Sequence, residues 1–277
     1  MAEQKKSAAL GNVRIYFGDN LPILRTLPSA SIDLIYIDPP FNTGHIQLRT
    51  RKTAASFGYA DSFDDYLGFL EPRLKEAYRL LKPTGSLFFH IDYREVHYCK
   101  VLLDTIFSRT SFINEIIWAY DYGARSKKKW SAKHDNILWY AKDPRHYTFN
   151  YDEMDRIPYM APDLVGPEKA ARGKTPTDVW WHTIVGTNSH EKTGYATQKP
   201  RGILDRIVKV HSNPGDTTLD FFAGSGSFGE SAAALGRHAL LIDQNPDALA
   251  VMKKRFTHFQ TEFILPKENT HGTAKEN

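Results

Sequence analysis

Short apolar runs alternate with longer amphipathic segments along most of this sequence, and this alternation constrains the fold more than any other feature. The runs with the length of strands lie at 13–17, 32–37, 87–91, 113–118, 137–140, 217–222 and 239–242. Segments with the apolar spacing of helices lie at 63–81, 96–107, 201–210, 228–235 and 247–256. Strands that alternate with helices indicate a parallel, doubly wound α/β sheet, here with antiparallel strands at one edge.

Composition narrows the class of protein. The chain has 277 residues, which predicts one large domain or one domain with an insertion. Its single cysteine, Cys99, excludes a disulfide framework, an iron–sulfur cluster and a Cys-based zinc site, and favours a reducing, cytoplasmic setting. The longest apolar runs have five residues, so we expect no membrane helix and no membrane partner. A net charge of +4 permits a polyanionic partner without requiring one.

Two stretches interrupt the alternation. Residues 45–59 contain basic but no acidic residues and predict a mobile loop. Residues 151–196 are rich in Pro, Gly, Thr and aromatic residues without a clear period, which is typical of a functional or inserted segment. We therefore divide the chain into 11–150, an insertion at 151–196, a second part of the same domain at 197–262, and a flexible tail at 263–277.

A glycine-rich turn follows the strand at 217–222. Its glycines, Gly224, Gly226 and Gly229, permit a tight turn and the close approach of a ligand to the start of the next helix. Asp243 ends the following strand, nineteen residues after Gly224, where a carboxylate can accept hydrogen bonds from both hydroxyls of a ribose. The pattern fits a nicotinamide dinucleotide or S-adenosylmethionine, and the turn alone does not choose between them. A simple strand–helix turn is the alternative.

A stiff turn of Asp38, Pro39, Pro40 and Phe41 follows the strand at 32–37. Each proline fixes its own φ and favours an extended residue before it. The turn thus offers the Asp38 carboxylate, the Pro39 carbonyl and the Phe41 ring together. The two acceptors suit both N–H groups of an exocyclic aromatic amine and would leave its lone pair aimed at an electrophile, while the ring of the amine stacks on Phe41. The alternative is a rigid loop with a carboxylate of no function.

These turns and the segments between them resemble those of amino-group DNA methyltransferases, in the permuted (beta) class whose catalytic turn precedes the cofactor turn. The resemblance covers about 13–255. The matching segments are Gly18-Asp19, 81–92, 114–118, 134–140 and 197–200. They imply a Rossmann-like fold that depends on S-adenosyl-L-methionine, with a target-recognition region inserted at 151–196. Phe221 departs from the family pattern, which often has proline at this position.

The resemblance implies methyl transfer to the N6 amino group of adenine in duplex DNA, on a flipped base and by direct in-line attack. Aspartate at position 38, rather than serine, resembles the adenine subgroup, with cytosine-N4 methylation as the alternative. A methyltransferase acting on an amine of RNA or protein, and a non-catalytic DNA-binding subunit, are further alternatives. A nicotinamide-dependent oxidoreductase, from a different class, would require neither the Asp38 turn nor the segment at 198–200. Homodimers and a cognate restriction endonuclease are implied as partners.

The resemblance also assigns residues. The catalytic residues are Asp38, Pro39, Pro40 and Phe41. The cofactor-binding residues are Asp19, Thr197, Lys199, Phe222, Ala223, Gly224, Ser225, Gly226 and Asp243. Lys199 and Thr197 would contact the methionine end of the cofactor, and Asp19 its adenine.

Two other chemistries are disfavoured by the sequence. Methylation of the 5-carbon of cytosine requires a thiolate, and Cys99 lies on a predicted helix, where we interpret it as a packing residue. His90, Asp92 and His97 are close in sequence, but they form no known metal-binding motif, so we expect no metal.

Two basic loops are candidates for contact with DNA. Their members are Arg49, Arg51 and Lys52 in the first loop, and Arg125, Lys127, Lys128, Lys129, Trp130 and Lys133 in the second. The cations can neutralise phosphates, and an aromatic ring can stack on a base or fill the space of a flipped one. Residues 180–190, which include Trp180, Trp181 and His182, carry groups suited to base edges, although a structural insertion is the alternative.

Overall fold

The computed structural model describes residues 10–42, 45–48, 58–186, 189, 191–195 and 198–265. The strands are β1 (Val13–Phe17), β2 (Ile32–Ile37), β3 (His45–Leu48), β4 (Gly58–Asp61), β5 (Leu81–Ile91), β6 (Phe112–Ala119), β7 (His134–Ala141), β8 (Val179–Trp181), β9 (Thr217–Asp220), β10 (His238–Asp243) and β11 (Thr261–Ile264). The helices are α1 (Asn20–Thr26), α2 (Tyr66–Leu80), α3 (Val96–Phe107), α4 (Pro167–Arg172), α5 (Arg201–His211), α6 (Ser227–Ala234) and α7 (Pro246–Arg255).

A nine-stranded sheet forms the centre of the molecule, in the order β11-β1-β10-β9-β2-β5-β7-β6-β8. The first six strands run parallel to their neighbours. β7 is antiparallel to both β5 and β6, while β8 is parallel to β6. The expected α/β sheet with antiparallel strands toward one edge is therefore confirmed.

Helices cover both faces of this sheet. Along β2, Leu34 and Tyr36 belong to the core under α5, α6 and α7. Ile35 and Ile37 belong to the second core, under α1, α2 and α3. A strand covered on both faces is buried throughout, and β2 accordingly reads as an unbroken apolar run apart from Asp33.

Most predicted elements are found close to their expected bounds, and α3 has the bounds that the apolar spacing predicts. One difference is the run at 87–91, which is the end of the longer strand β5. That strand begins at Leu81, directly after α2, because its first residues already pair with β2. The pairing contains a shift of register between Ile32 and Leu34, which accommodates the Pro-Thr-Gly segment at 83–85.

Three further elements differ from the sequence analysis. The segment at 45–59 was expected to be a loop, but β3 and β4 pair as an antiparallel hairpin at its two ends. The insertion at 151–196 contributes α4 and the sheet strand β8. Phe263 and Ile264, assigned to the tail, lie in β11, where Ile264 pairs with Tyr16 of β1. Within the described ranges, no helix has the length and apolar character needed to cross a membrane.

The turn between β9 and α6 requires glycine at position 226. Gly226 immediately precedes α6 and has a left-handed conformation, with φ of 76°. A Cβ at this position would lie 2.8 Å from Phe256 Cε2 and 3.0 Å from Met252 Cγ. Both the backbone conformation and the packing against α7 therefore disfavour any side chain.

We predict that alanine at position 226 destabilises the protein more than alanine at position 215. Both glycines have positive φ, so both variants incur the left-handed penalty of about 1–2 kcal/mol. A Cβ at Gly215 has no heavy atom within 4 Å, whereas one at Gly226 meets Phe256 and Met252. Urea unfolding of Gly226→Ala and Gly215→Ala measures the difference, and equal losses would contradict the steric argument.

The buried histidine His211, at the end of α5, is held in its neutral form. Its ring packs against Phe88, Trp139 and Phe149. Burial lowers the pKa of His211 to about 3, although a hydrogen bond to the Thr148 backbone opposes the shift. Protonation of this ring therefore favours the unfolded chain.

We predict a pH-dependent loss of stability from His211. Its pKa is about 3 in the folded state and about 6.5 when unfolded, so the unfolded chain binds the proton first and stability falls as the pH drops below about 6.5. Between pH 7.5 and pH 5.5, the free energy of unfolding of the wild type should fall by about 1.4 kcal/mol more than that of His211→Gln. Parallel pH profiles of the two proteins in urea would contradict this assignment.

Candidate active site

The carboxyl ends of β2, β9 and β10 meet at one edge of the sheet, because these parallel strands are near neighbours. A cavity of about 540 Å³ opens at this edge. From the predicted sites, it is lined by Asp19, Asp38, Pro40, Lys199, Phe222, Ala223, Gly224, Ser225 and Asp243. The fold thus brings the proline turn and the glycine turn to a single cavity, in the size range of ligand pockets.

The glycine turn is fixed by backbone hydrogen bonds and by Asp243. The Gly224 N–H donates to Asp243 Oδ2 at 2.7 Å, and the Asn245 N–H donates to Asp243 Oδ1 at 2.8 Å. The Gly226 N–H donates to the Ala223 carbonyl at 2.7 Å, so the backbone at position 226 closes the turn. Burial raises the pKa of Asp243, while these N–H groups act to lower it.

Asp220, the last residue of β9, adds a second buried carboxylate to the cavity wall. It accepts the Phe222 N–H at 3.0 Å. Burial, together with the charges of Asp38 and Asp243, raises the pKa of Asp220 well above its usual range. The sequence pattern that predicts the cofactor turn begins at Asp220, but it assigned this residue no role of its own.

Asp19 also lines the cavity, at the start of α1. It caps this helix by accepting the Leu21 N–H at 3.1 Å. Its Oδ1 also receives an ion pair at 3.0 Å from Arg73 of α2, which donates to Asn20 Oδ1 at 2.6 Å as well. Burial lowers the pKa of Arg73, while the charge of Asp19 acts to raise it. The predicted cofactor residue Asp19 is therefore positioned by an arginine that sequence analysis missed.

The proline turn is supported from α2 and α3. The Tyr66 hydroxyl donates to the Pro40 carbonyl at 2.6 Å. Asn42 has a left-handed conformation, with φ of 52°, and its side chain donates to Glu95 Oε1 at 2.9 Å. These contacts fix the end of the turn, next to Phe41.

Lys199 lies between the two halves of the site. Its Nζ forms an ion pair with Asp38 Oδ2 and lies 5.1 Å from the centre of the Phe41 ring. Sequence analysis assigned Lys199 to the carboxylate of a cofactor, and the structure adds the contact with the catalytic turn.

A buried polar cluster lies behind Asp38, and sequence analysis missed it. His90 Nδ1 is 2.8 Å from the Tyr36 hydroxyl and 3.7 Å from Asp38 Oδ1. His90 Nε2 is 3.1 Å from Asp135 Oδ2, and the Tyr120 hydroxyl donates to Asp135 Oδ1 at 3.0 Å. The sequence contains one local signal for this cluster. Side chains alternate between the two faces of a strand, so Tyr36 in β2 and Asp38 directly after it lie on the same face.

The second basic loop connects β6 to β7, whose ends lie beside this cluster. The loop is internally bonded: Ser126 Oγ accepts the N–H groups of Lys128 and Lys129, and Lys133 Nζ donates to the Ala124 carbonyl. Arg125 pairs with Asp121, and the Trp130 side chain is 99% exposed. The predicted DNA-contacting residues 125 and 127–130 are all exposed to solvent.

Several other assignments have a different outcome. Trp180 was a candidate for reading bases, but it is 7% exposed, and its indole donates to the Thr177 carbonyl, so it belongs to the core. The neighbouring Trp181 is 76% exposed. The assignments that fall outside the described residues are Arg49, Arg51, Lys52 and Thr197, as well as Thr187, Asn188 and His190 in the insertion.

The described residues contain no group of three or more His, Cys, Asp or Glu side chains arranged to hold a metal ion. Cys99 is fully buried on α3, in the core under α1–α3. Burial, and to a lesser extent the charge of Glu95, raises the pKa of the Cys99 thiol to about 12. The thiol is therefore a packing group and not a nucleophile.

Comparison with known sequences identifies relatives of this chain. M.HpaI, a type II methyltransferase of Haemophilus parainfluenzae, is 31% identical over 245 residues, which cover 87% of this chain and 73% of the relative. The DNA adenine methyltransferase YhdJ of Escherichia coli is 30% identical over 94% of this chain and 90% of the relative.

Solved structures share the fold at lower identity. The PvuII DNA methyltransferase, which is cytosine-N4-specific, has a TM-score of 0.66 and 18% identity, over 92% of this chain and 89% of that chain. A Thermus thermophilus protein described as a DNA modification methylase, complexed with S-adenosyl-L-methionine, has a TM-score of 0.62 and 22% identity, over 91% and 98% of the two chains. The Rossmann-like methyltransferase fold is therefore confirmed.

The family model described as DNA methylase, which covers N6 and N4 methyltransferases, matches residues 32–254. This range includes the proline turn, the polar cluster, the glycine turn and Asp243, and the match gives no support to the nicotinamide alternative. The chain belongs to the N6/N4 family of DNA methylases.

Proposed function

We propose that this protein transfers a methyl group from S-adenosyl-L-methionine to the N6 amino group of adenine in duplex DNA, with the target base flipped out of the helix. One observation carries the proposal. The Asp38 carboxylate, suited to an exocyclic amine, and the glycine turn with Asp243, suited to a nucleoside cofactor, open into the same cavity. Such a cavity lets donor and acceptor meet without water between them.

The cavity fits this cofactor in size and in charge. Its volume of about 540 Å³ is suited to a nucleoside with an amino-acid arm, and Asp243 at the end of β10 is suited to the ribose hydroxyls. The cavity wall carries more carboxyl groups than cations, which favours a positively charged ligand; the carboxyl groups are those of Asp19, Asp38, Asp220 and Asp243, and the cations are Arg73 and Lys199. When bound, S-adenosyl-L-methionine supplies a methyl group activated by a positively charged sulfur.

The residues of the proline turn prepare the amine. Asp38 and the Pro39 carbonyl accept its two N–H groups, which withdraws the nitrogen lone pair from the ring and directs it into the cavity. Phe41 stacks on the base. Lys199 holds the Asp38 carboxylate at a fixed angle through Oδ2. The base must leave the duplex to reach this turn, as enzymes acting on base atoms require.

Two observations support adenine over cytosine. The turn begins with Asp38, as in the adenine subgroup that the sequence resembles. YhdJ, a DNA adenine methyltransferase, aligns over 94% of the chain. The second candidate, cytosine-N4 methylation, uses the same machinery, and the cytosine-N4-specific PvuII enzyme has the same fold. We also propose that the protein belongs to the permuted class, because the Asp38 turn precedes the glycine turn in the chain. We further propose a cognate restriction endonuclease as a partner, because the relative M.HpaI is a type II methyltransferase.

In this proposal, the loop between β6 and β7 contacts the DNA. Lys127, Lys128 and Lys129 are exposed on this loop. The hydrogen bonds from the N–H groups of Lys128 and Lys129 to Ser126 Oγ fix the loop backbone in the protein without DNA. Lysines contribute affinity for phosphates that does not depend on sequence. The exposed part of the insertion, including Trp181, is suited to base edges.

We predict that Asp38→Ala retains cofactor binding but loses at least about 100-fold in methyl transfer, because the amine loses its oriented acceptor. The wild type and the variant are incubated with radiolabelled S-adenosyl-L-methionine and unmethylated genomic DNA, and the nucleosides are separated after digestion. Label in N6-methyladenine supports the proposal, and label in N4-methylcytosine supports the second candidate. Glu262→Ala removes an exposed carboxylate on the edge strand β11, outside the cavity and the insertion, and is the control that should retain full activity.

We predict that Lys127→Ala combined with Lys128→Ala weakens binding to a duplex and reduces the dependence of affinity on salt. Each phosphate that the protein no longer neutralises makes the slope of log K against log salt shallower by about 0.9. Lys253→Ala combined with Lys254→Ala, at the far end of α7, removes the same charge and should leave the slope unchanged. Affinity is measured by fluorescence anisotropy. If the two double variants changed the affinity and its salt dependence equally, net charge rather than the position of the lysines would determine binding, which would contradict the prediction.

A further inference from the structure

The Asp135 carboxylate determines which nitrogen of His90 carries a hydrogen. Burial alone would raise the pKa of Asp135, but the hydrogen bond from His90, the charge of Lys199 and a hydrogen bond from Tyr120 lower it, so Asp135 is ionised. An ionised carboxylate only accepts hydrogen bonds, so Nε2 carries a hydrogen and donates, which leaves Nδ1 as the ring nitrogen that can accept one. The Tyr36 hydroxyl, whose pKa is raised by burial and nearby carboxylates, donates to it.

Nδ1 therefore faces a second acceptor, Asp38 Oδ1, across 3.7 Å. This oxygen is buried and has no hydrogen-bond partner among the described residues, while Lys199 binds the other oxygen. Nδ1 has one lone pair, so it can take up a proton here only when the Tyr36 hydroxyl turns its hydrogen away, after which the hydroxyl oxygen can accept instead. A proton at this place would be shared by Asp38 and an imidazolium that Asp135 already stabilises from the other side.

We propose that His90 takes up, through Asp38, the proton that the amine releases during methyl transfer; this inference rests on the function proposed above. The nitrogen lone pair forms the bond to the methyl carbon, and the electron pair of the broken carbon–sulfur bond stays on sulfur. The nitrogen then has one proton in excess. Its N–H bond breaks with the electrons left on nitrogen. The proton passes to the Asp38 carboxylate, whose Oδ1 faces His90, and on to His90 Nδ1 as the Tyr36 hydroxyl turns its hydrogen away. The proton returns to solvent before the next turnover.

In this scheme Asp38 touches the amine, and His90 and Asp135 are positioning residues that act through it. Their geometry follows the logic of a carboxylate that fixes the tautomer of a histidine base. The cluster is also closed to water, since His90 is 1% exposed, so an internal acceptor is needed when the cavity is filled.

The tautomer of His90 can be measured in the protein without cofactor or DNA. In ¹⁵N-histidine NMR spectra, the signal that is missing from His90→Gln identifies His90. We expect the hydrogen on Nε2 in the wild type and on Nδ1 in Asp135→Asn, whose amide can donate to Nε2. A wild-type His90 with its hydrogen on Nδ1 would overturn the proposal.

The rate of methyl transfer in a single turnover tests the proton path. His90→Gln keeps a donor toward Asp135, and His90→Asn keeps an amide toward Tyr36 and Asp38, but neither side chain can take up a proton. We expect both variants and Asp135→Asn to be slower by at least about tenfold, with the dissociation constants for S-adenosyl-L-methionine and duplex within about twofold of wild type. Full rate in His90→Asn would overturn the proposal.

The matched control is His211→Gln, which makes the same substitution at another buried histidine, outside this cluster, and should keep the wild-type rate. If the His90 variants do not fold, the near-isosteric Asp135→Asn variant decides the question by its tautomer and its rate. A wild-type protein that methylates no DNA would overturn the proposed function and the proton path together. An active wild type with fully active His90 variants would overturn the proton path alone.

Discussion

The parallel pairing of β2 with β9 is the constraint on which the rest of the site depends. Leu34 pairs with Thr218, and Ile35 with Leu219, so segments more than 180 residues apart in the chain lie side by side. Asp33 fixes the start of this pairing, because its Oδ2 accepts the Thr217 N–H at 2.9 Å. Since the two strands begin together and run in the same direction, their turns leave the sheet at the same edge, and ligands of open α/β sheets bind at such edges.

Placing both turns at this edge concentrates carboxylates, and the fold compensates for Asp243 and Asp220 with backbone N–H groups and for Asp19 and Asp38 with cations. Asp243 and Asp220 each accept N–H groups from the turn that follows them, and burial still raises the pKa of both. The cations near the cavity are engaged with other carboxylates, Arg73 with Asp19 and Lys199 with Asp38. The cavity wall thus carries more carboxyl groups than cations, and a positively charged ligand would stabilise the ionised form of the buried ones.

The elements that could be predicted from the sequence are those with a local pattern. The helical spacing at 96–107 and the glycine turn before α6 need only their own residues to be recognised. β8 has no such pattern, because it becomes a strand only by pairing with β6, and Trp180 is buried for the same reason. The polar cluster depends on the contact between His90 and Asp135, which are 45 positions apart in the chain. The sequence around His90 alone therefore raised only the hypothesis of a metal site, which it did not support.

The composition of β5 itself argues that this cluster is functional. Phe88 lies two residues before His90 on the same face of the strand, and its ring stacks on that of Trp139, with the ring centres 5.6 Å apart. An apolar side chain is therefore accommodated two positions from His90 on this face. Burial of the Asp135 carboxylate costs desolvation, and apolar groups in place of buried charged groups are often neutral or stabilising, so the contact of His90 with Asp135 is not explained by stability. It occurs where β5 reaches the Asp38 turn, next to a carboxylate oxygen without a donor among the described residues, and there a group that can bind and release a proton has a chemical use.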